Sequence, residues 1–244
     1  MHDNRRFVAP QKNLNQTAIP YPCFAESLLE GIGTKHKILA MNAPPLSLWL
    51  TGMIALTAVS RGRTTDWPTY RADANRSGYT SEAIPNQLAL RWTFRSPHPP
   101  RPAWPNSDRI DFDLVFHPII AGDLVIFGSS VDDRVVAIDA KTGATRWTFI
   151  TDAPIRFAPC AWEDRAFVAG DDGWLRALSL TDGKELWKFR GGPDNRMILG
   201  NERMISKWPA RGGPVVIDGI VYFAAGIWPS DGVYLHALDA KTGA

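Results

Sequence analysis

The chain has 244 residues, a formal charge of +2 and 45% hydrophobic residues. That balance suits a globular chain and carries no basic or acidic excess, so no nucleic-acid partner is expected. Two cysteines, Cys23 and Cys160, exclude a disulfide framework or a cysteine-rich metal site.

Residues 1–40 are polar, proline-containing and without sustained periodicity, which predicts a disordered or misannotated N-terminal extension with Met41 as an alternative start. Within 41–60 lies the apolar run Leu46–Val59, preceded by Lys35-His-Lys37. It is short for a membrane span and suits a signal-peptide core, with Ala58-Val59-Ser60 offering a cleavage site before Arg61. An uncleaved N-terminal anchor and a buried helix are the alternatives. No lipobox precedes Cys23.

Residues 61–117 form a lead-in segment. Leu90-Arg-Trp-Thr-Phe94 reads as the last strand of a sheet whose other strands do not precede it. Residues 97–117 follow as a Pro-rich loop, because repeated proline opposes both helix and ladder pairing.

From 118 to 244 the chain repeats. Val136-Ala-Ile-Asp-Ala-Lys-Thr-Gly-Ala-Thr-Arg-Trp147 returns as Arg176-Ala-Leu-Ser-Leu-Thr-Asp-Gly-Lys-Glu-Leu-Trp187 and as His236-Ala-Leu-Asp-Ala-Lys-Thr-Gly-Ala244. The first two copies read as a strand, then a turn, then a strand, and the third stops after its turn, before its Trp. The Asp139 and Asp239 carboxylates are suited to accept backbone N–H groups two and three residues on. Gly143, Gly183 and Gly243 supply the residue with positive φ. Trp147 and Trp187 follow, too large to leave in water and expected between layers. Upstream halves beginning at Pro118, Pro159 and Pro214 each read strand, polar turn, strand. Gly143 and Gly183 are 40 residues apart and Gly183 and Gly243 are 60 apart, the excess lying in a long connection over 191–213. A unit of four short antiparallel strands with a tryptophan signature is a propeller blade. The expected fold is therefore all-β, a partial β-propeller with blades one to three at about 118–150, 158–190 and 214–244.

The Ala-x-Asp-x-x-Thr-Gly-x-x-x-Trp pattern resembles the pyrroloquinoline-quinone (PQQ)-like β-propeller repeat, over about 90–244. Thr65-Asp-Trp-Pro through Gly78-Tyr79 is similar to the lead-in of exported propellers of this kind. The resemblance implies a seven- or eight-bladed ring, with further blades in a longer protein of which this is an N-terminal part. It implies an exported chain, periplasmic or in the cell envelope. It admits three functions. The first is a non-catalytic binding or assembly scaffold. The second is part of a PQQ-dependent alcohol dehydrogenase, and the third is a sensor domain of a larger protein. The enzyme reading would require PQQ with calcium, a catalytic Asp and often a vicinal cysteine pair; no Cys-Cys occurs, and no catalytic residue is assigned. No cofactor or metal is expected under the first reading, whose partner would be a protein or a small anionic ligand.

Candidate binding residues are few. Arg156 and Arg211 both stand three residues before the repeat proline, where blade one has Val115. They read either as an anion site at the channel mouth or as arginines paired to neighbouring carboxylates. Arg203 and Trp208 in the 191–213 connection suit an acidic ligand or a capping loop. Glu202 and His117 form a conceivable acid–base pair with no spacing to fix it. Asp132-Asp133 and Asp171-Asp172-Gly173 lie in turns without the spacing of a calcium loop. Cys160 reads as a buried, inert thiol.

Overall fold

Short β-forming runs broken by Asp and Gly corners can satisfy their backbone groups only by folding back on themselves. In this computed structural model residues 66–103, 113–200 and 202–244 are described. They belong to a compact unit spanning 58–244; the other unit, 1–57, lies outside the described residues. So do the expected extension, the whole of the signal segment, and Cys23.

Blade one runs β1 (Ile119–Ala121), β2 (Leu124–Ser129), β3 (Arg134–Asp139) and β4 (Thr145–Ile150), adjacent in chain order. Blade two repeats this as β5 (Cys160–Trp162), β6 (Arg165–Ala169), β7 (Trp174–Ser179) and β8 (Glu185–Arg190). A hairpin follows, β9 (Met197–Gly200) with β10 (Arg203–Ser206). The last sheet has β11 (Val215–Ile217), β12 (Ile220–Ala225) and β13 (Tyr234–Asp239). Every ladder is antiparallel. The only helical element among the described residues is a single 3-10 turn, Pro229–Asp231. The all-β, multi-sheet architecture expected from the repeats is present.

Two expectations need correction. Leu90–Phe94 joins no ladder among the described residues. The connection over 191–213 is not all loop, since it contains the β9–β10 hairpin, with Ile205 buried and Leu199 and Met204 exposed.

The sheets bury their faces against one another. Ile126, Val135, Ala137 and Trp147 of blade one meet Ile155, Ala166, Val168 and Leu178. Phe167, Leu175 and Ala177 of blade two meet Val221, Phe223 and Leu238 of the third sheet. On its other face blade one packs Phe127, Val136 and Ile138 beneath Trp92 and Phe94. Ala137 and Ala177 are fully buried, as the close approach of a neighbouring sheet requires, whereas Ala237 of the last sheet is exposed.

The turns explain the repeat's composition. Asp139 Oδ1 accepts from the backbone N–H of Lys141 at 3.0 Å and of Thr142 at 2.8 Å, and Asp239 does the same for Lys241 at 2.9 Å and Thr242 at 2.8 Å. Gly143, Gly183 and Gly243 follow at φ of 75°, 73° and 76°. Each glycine faces the indole of the preceding copy. A Cβ on Gly183 would lie 2.6 Å from the Trp147 ring, and one on Gly143 or Gly243 would lie 2.8 Å from Trp92 or Trp187. Each indole Nε1 then donates to a turn carbonyl of the same neighbour: Trp92 to Ala140 at 3.0 Å, Trp147 to Leu180 at 2.8 Å, Trp187 to Ala240 at 3.3 Å. Trp92 thus takes the docking role without its segment pairing as a strand.

Candidate functional site: the inner-strand end of the blades

Each blade enters its innermost strand through the repeat proline, so the residues just before Pro118, Pro159 and Pro214 gather in one region. Two features are built there, a buried ionic network and a cleft.

The network centres on Asp171, in the β6–β7 turn and 1% exposed. Arg156 Nε donates to Asp171 Oδ2 at 2.6 Å, and Arg211 closes a bidentate pair through Nε and Nη2, both at 2.8 Å. Arg156 Nη1 also donates to Asp113 Oδ2 at 2.5 Å and to the Arg101 carbonyl at 2.8 Å. Asp113 in turn accepts from the backbone N–H of Ala103. Two guanidinium and two carboxylate groups alternate out of water, a neutral set in which each carboxylate is used by arginine. The equivalent residue of blade one, Val115, is exposed.

The other sequence-level candidates are spread around this centre. Arg203 pairs with Asp133 and donates to the Val131 carbonyl at 3.2 Å, tying the hairpin to blade one. Burial pushes the Asp133 carboxyl up, against the opposing pull of Arg203. Trp208 is 2% exposed, donates to the Asp231 carbonyl at 2.7 Å and carries Arg196 and Lys207 over its ring. Glu202 pairs with Arg101, while His117 packs edge-on against Tyr70 at 5.5 Å; no contact joins Glu202 to His117 in these interactions. Asp132 takes His98 and Arg134, and Asp172 takes Arg176 at 2.6 Å. Cys160 is buried, and burial pushes its thiol up. The blade-docking residues Asp139, Gly143, Trp147, Gly183, Trp187, Asp239 and Gly243 sit in the turns and indoles described above.

The cleft has a volume of about 240 Å³ and is lined by Tyr70, Arg76, His117, Phe157, Ala158 and Gly213. His117, Ala158 and Gly213 are the residues immediately before the three repeat prolines. Tyr70 and Arg76 of the lead-in and Phe157 form the remaining wall, because the lead-in runs across β1 and β5 to the entry of β11. Asp66 accepts from Gly122 N–H at 2.9 Å, and Trp67 exchanges two 2.9 Å backbone bonds with Ile120. The Pro68 carbonyl takes Ala161 N–H at 2.7 Å, and Arg76 Nη2 donates to the Gly213 carbonyl at 3.0 Å. Tyr70 and Arg76 lie inside the lead-in motif, yet nothing in one sequence shows that this segment returns to the inner strands.

The model of a family described as outer membrane protein assembly factor BamB matches residues 90–244. The chain belongs to the PQQ-like β-propeller family. Among curated proteins, the chain is 28% identical over 202 residues to a quinohemoprotein alcohol dehydrogenase of Comamonas testosteroni, covering 74% of this chain and 25% of that protein. It is 26% identical over 136 residues to BamB of Yersinia pestis, covering 54% of this chain and 32% of that protein. The chain therefore spans about a quarter to a third of the length of these relatives. The solved Comamonas testosteroni enzyme superposes with a TM-score of 0.54 at 24% identity, covering 74% of this chain and 26% of that one, a likeness of fold. Among the described residues no helix is long and apolar enough to cross a membrane.

A quinone with calcium would need a set of uncommitted oxygen ligands in this part of the chain. Calcium takes six to eight oxygen ligands. Asp113 and Asp171 are already committed to Arg156 and Arg211, and no group of three or more His, Cys, Asp or Glu side chains gathers among the described residues. The described residues therefore do not gather the oxygen ligands that calcium takes.

Proposed function

We propose that this propeller is a non-catalytic binding or assembly scaffold of the cell envelope, exported by the apolar segment within 41–60. One observation carries the reading. Four buried charged side chains at the inner-strand end neutralise each other in the Asp113–Arg156–Asp171–Arg211 network. Such a set ties the lead-in, blade two and the entry to the third sheet together and leaves neither of its carboxylates free for proton transfer or metal binding. The match to an outer-membrane assembly factor agrees with an envelope role.

A second reading, part of a quinone-dependent alcohol dehydrogenase, is favoured by the long alignment to the Comamonas testosteroni enzyme. One experiment separates the two. The full chain is incubated with PQQ and calcium, desalted, and measured for retained quinone absorbance and for dye-linked alcohol oxidation. The scaffold reading predicts that the quinone washes out and no dye is reduced. Retention at one quinone per chain with dye reduction would replace it.

A further inference from the structure

The cleft between the lead-in and the three pre-proline residues is built rather than incidental. Its outer wall is a tight turn that the backbone adopts at a cost. Arg71, Ala72 and Arg76 have φ of 59°, 78° and 55°, a region that residues with a Cβ enter reluctantly. Local bonds hold the turn in place: Gly78 N–H donates to the Arg71 carbonyl at 2.8 Å, and the Asp73 carboxylate accepts from Ser77 N–H at 3.0 Å and from its hydroxyl. The result sets Arg76 over the Tyr70 ring, 5.6 Å from its centroid, with one nitrogen fixed on the Gly213 carbonyl.

The chemistry of the lining narrows the ligand. Arg76 makes no ion pair among the described residues, unlike Arg156, Arg203 and Arg211. It is the only lysine or arginine in the lining. Burial pushes the His117 imidazole down, against the opposing pull of Asp113, so at neutral pH it adds a hydrogen-bonding nitrogen and no second charge. One positive charge suits a monoanion, whereas a phosphate dianion would be left half-neutralised. Tyr70 and Phe157 supply ring surface, which favours a planar apolar body. The volume of about 240 Å³ lies below the range of about 300–1,000 Å³ for drug-sized ligands, so the ligand is small, and a single ring with a short acid side chain fits.

We propose that this cleft binds a monocarboxylate carried on a single aromatic ring, with the carboxylate on Arg76 and the ring between Tyr70 and Phe157. The inference deepens the scaffold reading and rests on it. Two sources share the chemistry, a free aromatic acid and a peptide ending in phenylalanine.

Calorimetric titration of the full chain with 3-phenylpropionate tests it. The expected result is saturable one-to-one binding, absent with 3-phenylpropionamide and with inorganic phosphate. Arg76→Gln should weaken binding by about tenfold, the loss of a charge-assisted contact. Phe157→Leu should also weaken it, with thermal midpoints recorded to show that both variants fold. A short peptide with a free C-terminal phenylalanine that binds more tightly than the free acid identifies a protein terminus as the ligand; equal or weaker binding identifies the small acid. Equal binding of acid and amide, preference for phosphate, no saturation, or an unchanged affinity in folded Arg76→Gln overturns the proposal. Quinone retention would sink the scaffold reading while leaving this titration interpretable; failure of the acid to bind would remove the cleft and leave the scaffold.

Discussion

Gly183→Ala separates backbone conformation from blade docking. Gly183 has φ of 73°, where an L-residue costs about 1–2 kcal/mol. Its added Cβ would also stand 2.6 Å from the Trp147 ring, and overpacking of that kind costs about 1–3 kcal/mol more. Gly122 is the internal control, with φ of 57° and nothing within 4 Å of a new Cβ. Gly122→Ala therefore carries the conformational cost alone. In a domain of this size 1 kcal/mol moves the midpoint by about 2–4 °C, so Gly183→Ala should melt about 2–12 °C below Gly122→Ala. Thermal unfolding followed by tryptophan fluorescence and near-ultraviolet circular dichroism measures both. Trp147→Phe completes a double-mutant cycle, because a smaller ring leaves room for the methyl group. The combined variant should lose less stability than the two single losses added. Equal midpoints for the two alanine variants, or strict additivity in the cycle, would refute the contact between indole and glycine.

Other predictions follow from the same geometry. Asp171→Asn removes the negative charge between Arg156 and Arg211, and a broken buried pair costs about 3–5 kcal/mol; a urea titration should show the loss, while Asp194→Asn at an exposed pair leaves the midpoint nearly unchanged. Backbone and hydroxyl bonds from Thr142 and Thr242 hold the Asp139 and Asp239 carboxyls below their ordinary range, and the Lys184 ammonium and Ser179 hydroxyl hold Asp182 down at about 2. A depressed folded value stabilises above the unfolded value near 4. The contribution therefore fades as pH falls from about 4 toward about 2, and Asp139→Asn should flatten the acid limb of midpoint against pH. With Cys23→Ser in place, Cys160 should resist a thiol reagent in the native chain and react on addition of denaturant, since it is 3% exposed and burial pushes its thiol up.

The blade corners were legible in the sequence because each device is local and written more than once. Asp139, Gly143 and Trp147 lie within nine consecutive residues and recur in later copies, so the turn and the large ring announce themselves. What the ring docks on was less visible, since Trp147 meets Gly183 of the following repeat rather than anything near it in the chain. Arg156 and Arg211 were marked by position, but their shared partner Asp171 sits in a turn 15 and 40 residues away and resembled an ordinary acidic corner. The β9–β10 hairpin escaped because its four-residue strands are too short to show alternation, and its burial comes from packing onto the blade-two turn through Ser206 and Asp171. Leu90–Phe94 carried a strand's composition without a ladder, since its rings pack on blade one and no neighbouring strand takes its backbone among the described residues. The cleft depends on a lead-in that touches two innermost strands and the entry to the third through a few scattered backbone and side-chain bonds, which leave no periodic trace.

Assigned nuclear Overhauser contacts between indole rings and turn glycines test the docking register most directly. The ring protons of Trp92, Trp147 and Trp187 should contact the α-protons of Gly143, Gly183 and Gly243 in that order, with those α-protons shifted upfield by the ring currents. Contacts from Trp147 to Gly143 of its own copy, or none to any of the three glycines, would contradict the docking of each sheet on the next.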